Sequence, residues 1–245
     1  MRTLILSCNT GAGHNSCAKA LQETFTAHGE VCDIIDALQF ISERASQFIS
    51  NWHTRIYLYA PKLFKAGYQG AENHDSLFHE GTGIYKFLTS GADRIYDYIV
   101  EGEYDNIICT HVFPALAISE MQERHPSIRI TTSFISTDYT CSPSVSDSNL
   151  EWYFIPAESL KDEFARCGVP SEKLVASGLP AKRAFYARPD KKAAKAALGF
   201  DEDQRHLLVM CGSMGCGPIR DITELLCENI SEDQTVTVVC GSNEE

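Results

Sequence analysis

The chain is short of positive charge: 21 Lys and Arg stand against 33 Asp and Glu in 245 residues, a net charge of −12. That balance argues against a nucleic-acid partner, because backbone binding needs cations to neutralise phosphates. It also argues against simple electrostatic attachment to anionic lipid, although a local basic face is compatible with it. No stretch approaches the roughly 20 apolar residues that cross a bilayer. The opening Met1-Arg2-Thr3 leads into an apolar run too short for a signal peptide. The ten cysteines form no C-x-x-C pair and no Cys/His cluster at zinc spacing, so no metal is expected. Several, such as Cys8, Cys109, Cys211 and Cys240, end apolar runs and read as small buried residues in a reducing cytosol. The expectation is a cytoplasmic protein, at most peripheral at the inner face of the cell membrane.

What is there is an alternation of short apolar runs and helical patterns. Leu4 to Cys8 reads as a strand, followed by the turn-rich Asn9-Thr10-Gly11-Ala12-Gly13. Cys17, Leu21, Phe25 and His28 then fall at helical spacing, with Gly29 as a stop and Val31 to Ile35 as a second strand. The theme recurs at Asn106–Cys109 with a helix around Ala115 to Arg124, at Ile128 to Phe134, and at Trp152 to Ile155 with a helix from Glu158. Strand–loop–helix–strand units imply parallel strands and a doubly wound α/β sheet. Residues 37–101 interrupt the rhythm with a helical, aromatic-rich insertion including Phe40, Phe48, Trp52, Tyr57, Tyr59, Phe64 and Tyr68, and a second helix near Ile84 to Val100. Packing on the sheet explains such aromatics; a membrane-facing groove is the alternative.

Punctuation and charge replace pattern from Gly178-Leu179-Pro180 to Pro189. A fresh unit then begins: Arg205 to Met210, a glycine loop over Cys211 to Gly217, a helix over Ile219 to Asn229, and Thr235 to Cys240. The expected organisation is a Rossmann-like domain over 1–178, a linker over 179–200, and a second, incomplete Rossmann-like domain over 201–245. So few strands cannot bury both faces of a parallel sheet. The expectation is therefore a truncated domain, or self-association through its strands.

Two glycine loops carry the chemistry. Gly11-Ala12-Gly13-His14 sits between the first strand and its helix, where glycine permits close approach of a ligand and the helix N-terminus offers free N–H donors. A dinucleotide fingerprint would need glycine at Ser16, although Asp33 lies at about its acidic spacing. Nor is a Walker A run present. His14 is the candidate general base, since histidine titrates near 6.5 and takes a hydroxyl proton at neutral pH. A structural histidine bonding the loop would sit in the same place. His111, in Thr110-His111-Val112-Phe113-Pro114, could line the same site. Asp138 and Tyr139, in Thr137-Asp138-Tyr139-Thr140, would face an acceptor, or Asp138 would structure its own loop. Gly212, Ser213, Met214 and Gly215 repeat the strand–Gly loop–helix device, suited either to a diphosphate or to a tight turn.

Taken together these segments resemble the diacylglycerol glycosyltransferases, a family holding the plant galactolipid (monogalactosyldiacylglycerol) synthases and the bacterial processive glucosyl-diacylglycerol synthases. The lipid-linked N-acetylglucosaminyltransferase of peptidoglycan synthesis is a more distant likeness. The resemblance rests on Ser7 to Ala20, Tyr57-Leu58-Tyr59-Ala60-Pro61, Thr137-Asp138-Tyr139, Phe154-Ile155-Pro156-Ala157, Gly168 to Lys173, Ser177-Gly178-Leu179-Pro180 and Cys211 to Gly215, in that order. It implies a GT-B fold and a hexosyltransferase using a UDP-sugar as substrate, with no cofactor. His14 would deprotonate a lipid hydroxyl in an inverting displacement, and the second glycine loop would meet charge on the UDP. It also implies a longer second domain than this chain holds. A catalytically incomplete remnant that binds lipid or protein, and a UDP-sugar epimerase of GT-B build, are the competing functions.

Overall fold

The structure, a computed structural model, describes residues 1–9, 12–42, 79–142, 144–212, 215 and 217–243. Gly11, Ser213 and Met214 lie outside the described residues, as do Phe48, Trp52, Tyr57, Tyr59, Phe64, Tyr68 and the Tyr57–Pro61 segment. The chain divides into two compact units, Met1–Arg183 and Ala184–Glu245.

The first unit is a parallel six-stranded sheet in the order β2-β1-β3-β4-β5-β6. Its strands are β1 (Arg2–Ser7), β2 (Val31–Asp36), β3 (Asn106–Cys109), β4 (Thr131–Ile135), β5 (Trp152–Ile155) and β6 (Leu174–Ala176). Its helices are α1 (Ala12–Ala27), α2 (Gly83–Leu88), α3 (Ala92–Glu101), α4 (Val112–Arg124) and α5 (Lys161–Arg166). Because strand side chains alternate, β1 feeds two cores at once. Leu4 and Leu6 join Ile107, Cys109, Phe134 and Tyr153 under α3 and α4, through Ile95, Ile99, Ile118 and Met121. Ile5 points the other way, to Ile108, Ile135 and the Cys17–Ala18 face of α1. Helices therefore cover both faces, as a parallel sheet requires. Each fully buried Leu or Ile contributes about 1.5–3 kcal/mol.

Local chemistry sets the breaks. α1 stops where Gly29 takes φ +77 and the Glu30 amide bonds the Phe25 carbonyl at 3.0 Å, a left-handed glycine cap. The helix expected over Ile84 to Val100 is two helices, α2 and α3. They part at Gly91, where an added Cβ would lie 2.8 Å from the Phe40 carbonyl carbon and oxygen. The close passage of that backbone, not helix propensity, decides the break.

The second unit holds α6 (Lys191–Ala197), β7 (Arg205–Met210), α7 (Ile219–Asn229) and β8 (Gln234–Val239), the two strands paired in parallel. Residues 179–200, read from the sequence as a linker, include α6. Asp190 caps it by accepting from the Lys192 and Ala193 amides at 3.0 Å. Its buried Lys195 donates to the carbonyls of Glu202 and Gln204. Both strands stay partly exposed along their length. For that reason Cys240 is exposed and Cys211 half-buried, whereas Cys8 and Cys109, in the first sheet, are buried as expected.

Candidate active site

In the first unit β1 lies between β2 and β3, so the chain reverses its winding direction there. Open α/β sheets bind ligands at such switch points, beyond the carboxyl ends of the strands. The elements leaving those ends are α1 after β1, α4 after β3 and the 136–142 loop after β4. They bring His14, His111 and Thr137 together.

His14, half-buried in the first turn of α1, places Nδ1 2.7 Å from the carbonyl oxygen of Thr110. The Thr137 hydroxyl oxygen lies 3.0 Å from the same nitrogen. A carbonyl can only accept, so Nδ1 carries a proton, and in the neutral ring the lone pair is on Nε2. The ring of His111 meets that of His14 edge to face, centroids 4.6 Å apart. His111 has a different duty on its own Nδ1, which accepts from the Phe113 amide at 3.1 Å and caps α4. Thr110 is fully buried, and its hydroxyl finds no hydrogen-bond partner among the described residues.

A directed chain of hydrogen bonds braces the turn before His14. The Ser7 hydroxyl donates to Asn15 Oδ1 at 2.7 Å, Asn15 Nδ2 to Asn9 Oδ1 at 2.8 Å, and Asn9 Nδ2 to Asp36 Oδ2 at 3.0 Å. Asp36 Oδ1 takes the Leu38 amide at 3.1 Å. The ends of β1 and β2 are thereby tied to the start of α1. Asp33, at the dinucleotide spacing, sits mid-strand opposite Leu4 and accepts from the Tyr104 hydroxyl at 2.7 Å. The end of β2 is Asp36, already bonded to Asn9, so neither carboxylate stands ready for a ribose.

Asp138 and Tyr139 are both exposed, Tyr139 over 65% of its surface. Among the described residues the Asp138 carboxylate has no hydrogen-bond partner. Two residues the sequence did not single out hold the loop. The Ser136 hydroxyl donates to the Asp138 carbonyl at 3.0 Å. Glu163, on α5, accepts from the Thr140 hydroxyl at 2.6 Å and the Cys141 amide at 2.8 Å. The Thr140 bond first, then the Cys141 amide, hold its carboxyl below the usual range.

No described residue lies within 4 Å of an added Cβ on Gly13, so among the described residues space lies open beside it. In the second unit Gly212 and Gly215 both take positive φ, +67 and +58. An added Cβ on Gly215 would meet the Cys240 carbonyl oxygen at 1.9 Å, so this glycine is required by packing against the end of β8. Gly212 and Gly215 thus have a structural reason to be glycine that needs no ligand.

An open groove of about 550 Å³ lies elsewhere, lined by residues including Tyr85, Lys86, Glu120 and Arg124. It shares none of the residues above, and Arg124 is already paired with Glu120 and Asp93. Among the described residues no group of three or more His, Cys, Asp or Glu could hold a metal ion. No helix among them is long and apolar enough to cross a membrane.

Comparison with known proteins bears on this arrangement. The processive diacylglycerol beta-glucosyltransferase of Bacillus cereus (strain AH187) is 23% identical over 250 residues, covering 99% of this chain and 61% of the relative. The protein of that name from Bacillus anthracis (strain A0248) matches to the same extent. This chain thus spans 61% of the length of these relatives. Among solved structures, MurG of Acinetobacter baumannii superposes with a TM-score of 0.50 at 10% identity, over 100% of this chain and 68% of that one. The spinosyn rhamnosyltransferase SpnG gives 0.52 at 12% identity, over 97% and 65%. Identities so low speak to the fold alone, which is α/β, Rossmann-like and of GT-B type. Residues 14–181 match the family described as monogalactosyldiacylglycerol (MGDG) synthase, and with most of its length inside that match the chain belongs to this family.

Proposed function

We propose that this chain is the acceptor-side part, with the start of the donor-side part, of a glycosyltransferase that moves a hexose from a UDP-sugar to a lipid hydroxyl such as that of diacylglycerol. Residues 1–178 would hold the acceptor and residues 201–245 would begin the sugar-nucleotide domain. The observation that carries the reading is the 2.7 Å contact between His14 Nδ1 and the Thr110 carbonyl. It leaves Nε2 as the proton acceptor at a sheet switch point, where a neutral imidazole serves as general base.

In the proposed step the acceptor O–H gives its proton to His14 Nε2 while its oxygen bonds to the anomeric carbon. The bond from that carbon to the UDP oxygen breaks on the opposite face, and the electron pair leaves with the diphosphate. Configuration inverts. His111, Asp138 and Tyr139 frame the acceptor, and the space beside Gly13 admits it. The role proposed for Gly212, Ser213, Met214 and Gly215 is to meet charge on the diphosphate with backbone N–H groups. A lipid acceptor places the protein at a membrane surface. The exposed Ile84 and Phe87 of α2 suit such contact.

The test is transfer from UDP-glucose and UDP-galactose to diacylglycerol in mixed micelles. It uses the chain alone and the chain joined to the remaining C-terminal sequence of the Bacillus cereus relative. The expected result is lipid-linked hexose of inverted configuration. His14→Ala should lose at least about a hundredfold in turnover while keeping UDP binding. Turnover retained in His14→Ala would remove that residue from the mechanism. Isomerised UDP-sugar in the absence of any acceptor would replace the reading with an epimerase.

A further inference from the structure

We infer that Thr137 is a positioning residue for His14, fixing the plane of the imidazole so that Nε2 stays aimed at the acceptor oxygen; this rests on the reading of His14 as the base. Two oxygens converge on one nitrogen: the Thr110 carbonyl at 2.7 Å and the Thr137 hydroxyl at 3.0 Å. Were Nδ1 unprotonated, its lone pair would face the carbonyl lone pairs at 2.7 Å, a repulsive contact. Nδ1 therefore donates, and Thr137 Oγ1 acts as the second acceptor of a shared N–H rather than as a donor.

The second acceptor matters for the chemistry. With one acceptor the ring can pivot about the N–H···O axis and carry Nε2 off line. With oxygens from the ends of β3 and β4 both on Nδ1, the ring plane is set by the sheet. When Nε2 takes the acceptor proton, Nδ1–H shares the positive charge and both of its hydrogen bonds become charge-assisted. Thr137 thus helps more in the transition state than in the resting site, the condition for an effect on rate rather than on binding.

Thr137 can do this because its own position is fixed. The Ser136 amide donates to the Phe154 carbonyl at 2.9 Å, continuing the β4–β5 ladder by one residue. Downstream, Glu163 holds Thr140 and Cys141. The hydroxyl therefore arrives on a loop pinned on both sides.

Imidazole 15N shifts report tautomers directly and need no catalysis. In long-range 1H–15N spectra of the 245-residue chain, His14 should show the Nδ1–H pattern. His111, whose Nδ1 accepts from Phe113, should show the opposite one and serves as an internal reference. Thr137→Val, nearly the same shape without the hydroxyl, should leave the tautomer to the Thr110 carbonyl but shift the His14 Nδ1–H proton resonance by removing one of its two acceptors, and Thr137→Ser should restore it. Thr137→Ala replaces the valine variant if that one does not fold. In the transferring enzyme Thr137→Val should lower kcat about tenfold at unchanged KM, a fraction of what a general base supplies. A His14 spectrum indifferent to loss of the hydroxyl would overturn the inference, as would a serine variant as impaired as the valine one. If His14→Ala keeps its turnover, the base assignment falls while the Nδ1–H result stands. If the Nδ1–H resonance and kcat ignore Thr137 while His14→Ala abolishes transfer, only the positioning role falls.

Discussion

His14 Nδ1 and the carbonyl oxygen of Thr110 stand 2.7 Å apart, although 96 positions separate the two residues in the chain. The contact exists because β1 and β3 are neighbours, with the Thr110 amide extending their ladder to the Leu6 carbonyl at 3.1 Å. Thr110 serves through its backbone on both sides, and its side chain is left over.

That surplus hydroxyl gives the first prediction. Thr110 Oγ1 is buried without a partner among the described residues, and an unsatisfied buried polar group costs about 1–3 kcal/mol. Thr110→Val keeps the shape and the carbonyl and removes the unpaired oxygen. Urea unfolding should show equal stability or a gain of up to about 1 kcal/mol, with the His14 tautomer unchanged. A clear loss of stability would mean that the hydroxyl has a partner. Lost transfer at full stability would mean that it touches substrate.

A second prediction concerns acid. The Glu163 carboxyl is held below its usual range by the Thr140 hydroxyl first and the Cys141 amide second, against a small opposing burial effect. A depressed carboxyl stabilises the fold fully above its unfolded value of 4.5, and that contribution is lost as pH falls through the lower native value. Both bonds go to Oε1, so Glu163→Gln can keep the geometry while giving up the charge. The variant should be less stable than the parent at pH 7, and the gap should narrow as pH falls below 4.5 through the lower native value. Urea midpoints at pH 7 and over a descending pH series decide it. A gap that stays constant would show that the carboxylate charge is not what holds the 137–142 loop.

Much of the fold was legible because its signals are local. Apolar runs gave β2, β3, β5 and β7 within a residue, β1 begins two residues before the run that marked it, and the Ile219–Asn229 helix follows a 3.6-residue pattern. Three-residue β6 is too short to show a period. The α2–α3 break depends on Phe40, far from Gly91 in sequence, and no local pattern reports it. α6 was readable in principle, since Asp190 before Lys-Lys-Ala-Ala-Lys-Ala-Ala is an N-cap ahead of strong helix formers. At the site, His14 and His111 were found from the loops that bear them, and they do meet. The partners of His14 were not found. One is a backbone carbonyl and the other a threonine hydroxyl, and neither has a signature until strand order is known. Asn9 and Asp36 escaped notice for the same reason: their bond joins two strand ends.

The last prediction separates ligand space from fold at Gly13. This glycine lies in the first turn of α1 without a positive φ, and no described atom lies within 4 Å of where a Cβ would go. No described residue asks for glycine there, in contrast to Gly215, where an added Cβ would collide with the Cys240 carbonyl. Alanine reduces the freedom of the unfolded chain, so Gly13→Ala should raise stability by about 0.5 kcal/mol. If the open space receives the acceptor, the same methyl group should raise the acceptor KM several-fold while leaving UDP binding and the His14 tautomer alone. Thermal unfolding and transfer kinetics on one preparation measure both effects. A variant that is more stable and fully active would show that no ligand comes close to this turn, and would move the acceptor toward the Asp138–Tyr139 loop instead.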